Sequence, residues 1–241
     1  MSRKKIETQN EMNYYQIFST TLLFVMSLTL TSCGNNLSNY YLSKAKKLED
    51  KEQYKEAIVL LNKAIEKNPK NLNAFINRGA YKSYLEDYYG AMDDFSKVIE
   101  MDTANALAYL NRGKSKAFLG NYREAIEDYD KIMKMKGWGG LFHLELVDNF
   151  FTKRKTSDFD VKREEVFLAR GFARYDMDSL MLAFNDFSVC IQGNFAMADS
   201  YYMVGLIYLA YGDMENAYPA LYKAEIFGNT GAREMINKYY K

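Results

Sequence analysis

Histidine is almost absent from this chain of 241 residues. His143 stands alone, which excludes a His-rich metal site and any catalytic triad legible from spacing. Cysteine is nearly as scarce. Cys33 and Cys190 are too far apart for a Cys-x-x-Cys redox or zinc motif. No glycine-rich phosphate loop or nucleophile elbow is present. Charge of one sign is missing too: 32 basic residues stand against 31 acidic ones, so no global field draws the chain to nucleic acid. These absences point away from an enzyme and from any cofactor, metal or small-molecule substrate.

What is present is self-similarity. Five blocks of 34 residues begin at Ser38, Leu72, Ala106, Glu164 and Ala198. Their fourth slot is aromatic: Tyr41, Phe75, Tyr109, Phe167 and Tyr201. Their eighth is small: Ala45, Gly79, Gly113, Gly171 and Gly205. The twentieth is always alanine (Ala57, Ala91, Ala125, Ala183, Ala217), and the twenty-fourth is large and apolar (Leu61, Phe95, Tyr129, Phe187, Leu221). A tiny eighth residue lets a second helix approach, with the twentieth alanine as its expected counterpart and the large slots filling the space around. Turn-prone pairs separate the helices: Glu86-Asp87, Gly120-Asn121, Asp178-Ser179 and Gly212-Asp213.

A period of 34 with these slots resembles the tetratricopeptide (TPR) repeat, a helix–turn–helix unit that buries its core only by stacking. The resemblance implies an all-α TPR solenoid, a right-handed superhelix of helix pairs. It gives repeats 1–3 at 38–139, an insertion at 140–163, repeats 4–5 at 164–231 and a capping helix at 232–241. Three departures stand out. Only the first block carries the family's late proline, Pro69; the eleventh slot, often tyrosine, is Lys82, Lys116 and Arg174 in the middle repeats; and Pro219 falls inside a helix.

The first 33 residues are different. Arg3, Lys4 and Lys5 precede an uncharged run from Ile17 to Leu30. Fourteen helical residues reach about 21 Å, short of the ~30 Å hydrocarbon core, so residues 1–32 read as a secretory signal. Leu30-Thr31-Ser32-Cys33 resembles the lipobox of bacterial lipoproteins. That implies cleavage before Cys33, acylation of this cysteine, and residues 33–37 as a short tether. Gly34 is not the aspartate that this family associates with inner-membrane retention, so the resemblance implies the outer membrane, lipid-anchored, on its periplasmic face. Cys190 then lacks a partner, and its slot, filled elsewhere by Ala64, Val98, Ile132 and Ala224, reads as buried.

Within the insertion, Leu141–Thr152 has a helical pattern with Phe142, Leu146 and Phe150 on one face, followed by Lys153-Arg154-Lys155. It reads either as an extra helix packed into the solenoid or as a docking element.

One polar pattern repeats. Arg78, Arg112 and Arg170 occupy slot seven in the three blocks that carry Asp94, Asp128 and Asp186 at slot twenty-three; the other two blocks have neither. This joint occurrence predicts an ion pair between helices, within a repeat or across to the next. By the TPR resemblance, ligands lie along the first helices of the repeats. The lining slots supply Ile76, Asn77, Tyr84, Leu110, Asn111, Lys114, Phe118, Leu168, Phe172, Tyr175, Tyr202 and Leu206. The expected function is a membrane-anchored TPR scaffold that binds envelope proteins or peptides through this face. The alternative is a self-assembling structural envelope protein.

Overall fold

The computed structural model describes residues 34–135 and 161–240, and every regular element in them is an α-helix. The helices are α1 (34–49), α2 (Tyr54–Lys67), α3 (Leu72–Tyr84), α4 (Tyr88–Met101), α5 (Ala106–Phe118), α6 (Tyr122–Met133), α7 (Arg163–Asp176), α8 (Leu180–Gln192), α9 (Met197–Ala210), α10 (Met214–Ile226) and α11 (Thr230–Tyr239). Each 34-residue block holds one pair, as the slots predict. His143, the insertion helix and the basic cluster after it, and Cys33 with the signal segment lie outside the described residues.

Two compact units divide the chain, the first ending at Leu85 and the second starting at Glu86. The first contains α1–α3, closed around Leu42, Ala45, Ala57, Leu61, Ala64 and Tyr81. Residues 34–37, expected as a tether, are already helical. They are pinned to α2: Ser38 Oγ donates to the Ala64 carbonyl at 2.7 Å, and a Cβ on Gly34 would stand 2.8 Å from the Lys67 carbonyl oxygen. No helix among the described residues is long and apolar enough to cross a membrane.

The second unit is built on repeated contacts between slots eight and twenty-four. A Cβ on Gly113 would come 2.5 Å from the Tyr129 ring, one on Gly171 2.9 Å from Phe187, and one on Gly205 2.7 Å from Leu221. The eighth slot therefore makes room for the large residue of slot twenty-four. The alanines of slot twenty, expected as its counterpart, are fully buried in all five blocks.

Turns repeat as well. Slot fifteen has a left-handed backbone in every block: Glu52, Glu86, Gly120, Asp178 and Gly212 have φ of 56°, 62°, 78°, 58° and 73°. The chain reverses there, so a left-handed residue is required even where glycine is absent. Asp87 and Asp213, one residue on, accept from the backbone N–H of Gly90 and Asn216 and cap α4 and α10. α10 runs unbroken through Pro219. α11 starts two residues earlier than expected because Asn229 Oδ1 accepts from the N–H of both Gly231 and Ala232 at 3.1 Å.

Two of the three predicted ion pairs are seen within repeats. Arg112 holds Asp128 through Nε and Nη2 at 2.9 and 2.7 Å, and Arg170 holds Asp186 the same way at 3.1 and 2.7 Å. The unusual slot-eleven cations explain themselves here. Lys116 and Arg174 each reach the same carboxylate as a second partner, at 2.8 Å. Arg78, in the first unit, donates to Asn62 at 2.7 Å.

Candidate binding groove

A regular aromatic stack runs through the early repeats. The first residue of each second helix, slot seventeen, is Tyr54, Tyr88 and Tyr122 in the first three blocks. Tyr54 stacks on Tyr84, slot thirteen of the next block, and Tyr88 stacks on Phe118 in the same relation. Both centroid distances are 4.9 Å. At the next step the pattern stops. Slot thirteen of the fourth block is Asp176, so among the described residues Tyr122 has no stacked ring in the place where the rule would put one.

An open groove of about 650 Å³ lies at that interruption, wholly within the second unit. Helix α5 contributes Lys114, Ala117 and Phe118; α6 contributes Tyr122 and Tyr129; α7 contributes Leu168, Phe172 and Asp176, among others. Phe195 reaches in from the turn before α9. The volume suits a few side chains of a peptide or a small ligand. Small residues make the floor: Ala117, Ala169 and Ala173 keep the helix surfaces low between the aromatic walls.

Its polar content is slight. Lys114 Nζ and Glu165 Oε1 pair at 2.7 Å, both about one-third exposed, and neutralise each other. Asp176, at the last residue of α7, is exposed and makes no ion pair among the described residues. Burial first, and then the neighbouring Asp128, push the Tyr129 hydroxyl well above the ordinary phenol range. Tyr129 is therefore a neutral wall, not an acid or base. Among the described residues no cluster of His, Cys, Asp or Glu could hold a metal ion.

Of the expected lining residues, the structure gathers Lys114, Phe118, Leu168 and Phe172 in the groove. Tyr175, Tyr202 and Leu206 pack instead on the cluster around Phe187, Met203 and Ile207. Ile76 and Leu110 are buried, at 4% and 0% exposure, and present no surface to a ligand. Asn77 turns back on its own helix, donating to the Asn73 carbonyl at 2.6 Å, and Asn111 is half-buried outside the groove lining. Tyr84 belongs to the first unit, stacked on Tyr54. Sequence reasoning missed Tyr122, Asp176 and Phe195. The run of tyrosines at slot seventeen was the available signal for the first. Asp176 shows only as a break in the aromatic slot thirteen.

Comparison with known proteins agrees with this architecture. Residues 106–137 and 198–225 match the tetratricopeptide repeat family. No curated protein matches the chain in sequence. Among solved structures, PilW, a widely conserved type IV pilus biogenesis factor, is 15% identical with a TM-score of 0.63, over 86% of this chain and 94% of its own. YrrB, a TPR protein with an unusual peptide-binding site, is 19% identical at a TM-score of 0.59, over 82% and 90%. MamA is 17% identical at 0.59, over 81% and 97%. At such identities the likeness concerns the fold. Two segments of the chain match the tetratricopeptide repeat, and its fold is similar to those of PilW, YrrB and MamA.

Proposed function

We propose that this protein is a lipid-anchored scaffold that captures an envelope protein or peptide in the groove between its third and fourth repeats. One observation carries the proposal. The aromatic stack of the two earlier repeat junctions has no counterpart at Asp176, and Phe118 and Phe172, 72% and 37% exposed, stand there beside an apolar floor. Large rings held by neighbours at only one side are costly to leave in water and bind apolar side chains well. The groove offers an apolar surface, the Lys114–Glu165 pair and the Asp176 carboxylate, with no group among the described residues placed for acid–base or nucleophilic chemistry.

The anchor rests on the lipobox-like residues ending at Cys33. Two features of the first unit support it. The chain is already helical from residue 34 onward, so acyl chains on Cys33 would hold this unit close to the bilayer. Residues 34–85 also carry ten basic and five acidic side chains, a balance suited to anionic headgroups. Two or more acyl chains give stable attachment, whereas one is marginal. Gly34 after the cysteine supports outer-membrane placement.

Metabolic labelling with a clickable palmitate analogue, followed by membrane fractionation, tests the anchor. The wild type should carry label and sediment with outer membranes, while Cys33→Ser should carry none. Label retained by Cys33→Ser would remove the anchor from the proposal.

A further inference from the structure

We infer that the groove receives a peptide segment of a partner protein in which an aromatic side chain is followed closely by a lysine or arginine. The ring stacks on Tyr122 and the cation sits at Asp176. The inference rests on the groove being the partner site and specifies what it selects.

The first argument is the repeat rule itself. Tyr54 and Tyr88 each meet a ring 4.9 Å away, supplied by slot thirteen of the following block. Tyr122 occupies the same slot as these two and lines the groove where Asp176 replaces that ring. A ligand aromatic restores the stack, in a position that the preceding repeats show to be compatible with the backbone. Phe118, Phe172 and Phe195 border the same space and favour edge contacts with such a ring.

The second argument is charge. Lys114 is neutralised by Glu165, so among the described lining residues the charge that remains is that of Asp176. This carboxylate stands at the C-terminal end of α7, where the helix dipole adds to its negative potential. Asp178, also exposed, lies two residues beyond. A basic side chain placed here gains the carboxylate and the face of a neighbouring ring together. An acidic one would be repelled. The wider field has the same sign, since residues 86–241 hold 24 acidic against 19 basic side chains.

The probe is a short synthetic peptide with one tryptophan followed by one lysine in a Gly/Ser background. Counterparts replace tryptophan by alanine or lysine by glutamate, and all are titrated against the full-length protein in detergent. The parent peptide should bind roughly tenfold tighter than either counterpart, as expected for one stacking or one charge contact. Asp176→Lys should reverse the preference, so that the glutamate peptide binds better. Tyr122→Ala should erase the tryptophan preference and leave the lysine preference intact. Unchanged helix content and melting temperature verify that both variants are folded.

Binding of all peptides with equal affinity would overturn the inference while leaving the groove as the partner site. Binding of none would overturn both. Within the insertion, Phe150-Phe151-Thr152-Lys153-Arg154-Lys155 is a segment of the inferred kind. If peptides bind only after residues 150–155 are deleted, the occupant is that segment and the assignment to a partner falls.

Discussion

Arg170 and Asp186 form a bidentate pair, Nε to Oδ2 at 3.1 Å and Nη2 to Oδ1 at 2.7 Å, while Nη1 of the same guanidinium reaches Asp130 of the preceding repeat at 2.6 Å. Asp186 is nearly inaccessible, and Arg174 holds its second face. One side chain thus fixes the helices of the fourth repeat to each other and to the third. Removing one partner of a buried pair leaves the others uncompensated, at a cost of about 3–5 kcal/mol. Asp186→Asn should lower unfolding stability by that order in urea titration. Arg170→Lys, which keeps the charge and loses the fork, should cost distinctly less.

Two glycines should respond to the same substitution for different reasons. Gly113→Ala drives a methyl into the Tyr129 ring, which at 1% exposure has nowhere to move. Overpacking of this kind costs about 1–3 kcal/mol. Gly120→Ala meets no atom within 4 Å but sits at φ 78°, so its cost is backbone strain of about 1 kcal/mol. Conversely, Glu86→Gly relieves a side chain held at φ 62° and should raise the melting temperature.

Cys190 is a packing residue. It is fully buried, its Sγ lies 3.4 Å from the Glu164 carbonyl, and burial pushes the thiol up to about 12. Iodoacetamide should therefore modify it only as fast as the protein unfolds. The pH dependence has a defined sign. A folded-state value raised above the unfolded one gives stability that is full below the unfolded pKa of about 8.5 and lost as pH rises toward the folded value. Stability relative to Cys190→Ala should thus decline through the alkaline range. A flat difference between the two proteins would show the thiol to be unperturbed.

Tyr84 and Phe172 should behave differently although both are exposed aromatics on first helices. Phe172 lines the groove and meets Phe187 edge-on at 5.4 Å. Phe172→Ser should reduce partner capture at least tenfold, in line with loss of a central aromatic contact. Tyr84 stacks on Tyr54 in the first unit, and Tyr84→Ser should leave capture intact. Co-purification from cells, scored beside thermal melting of each variant, separates lost binding from lost folding.

The repeat architecture was legible because slots eight, twenty and twenty-four carry steric demands that recur every 34 residues. Gly113 against Tyr129 and Gly171 against Phe187 meet those demands. The co-occurrence of Arg112 with Asp128 and of Arg170 with Asp186 was legible too, since buried charges need partners. The groove was only partly so. Periodicity shows which helix face is apolar, but not how much of it a neighbouring helix covers. Ile76 and Leu110 were therefore assigned to a surface that packing closes. Phe195 enters from a turn, where no period applies. Asp176 defines the site by breaking a stack, and the stack is visible only once Tyr54–Tyr84 and Tyr88–Phe118 are seen face to face.

The central claim is that the partner sits in the groove of the second unit, and site-specific photocross-linking in living cells tests it most directly. A photoreactive phenylalanine would replace Phe118 or Phe172 in the groove, and Val59 or Tyr222 at exposed positions outside it. The account predicts a discrete envelope-protein adduct from both groove positions, absent from both controls and lost when Asp176→Lys is added. The same adducts from all four positions, or adducts from Val59 and Tyr222 alone, would contradict it.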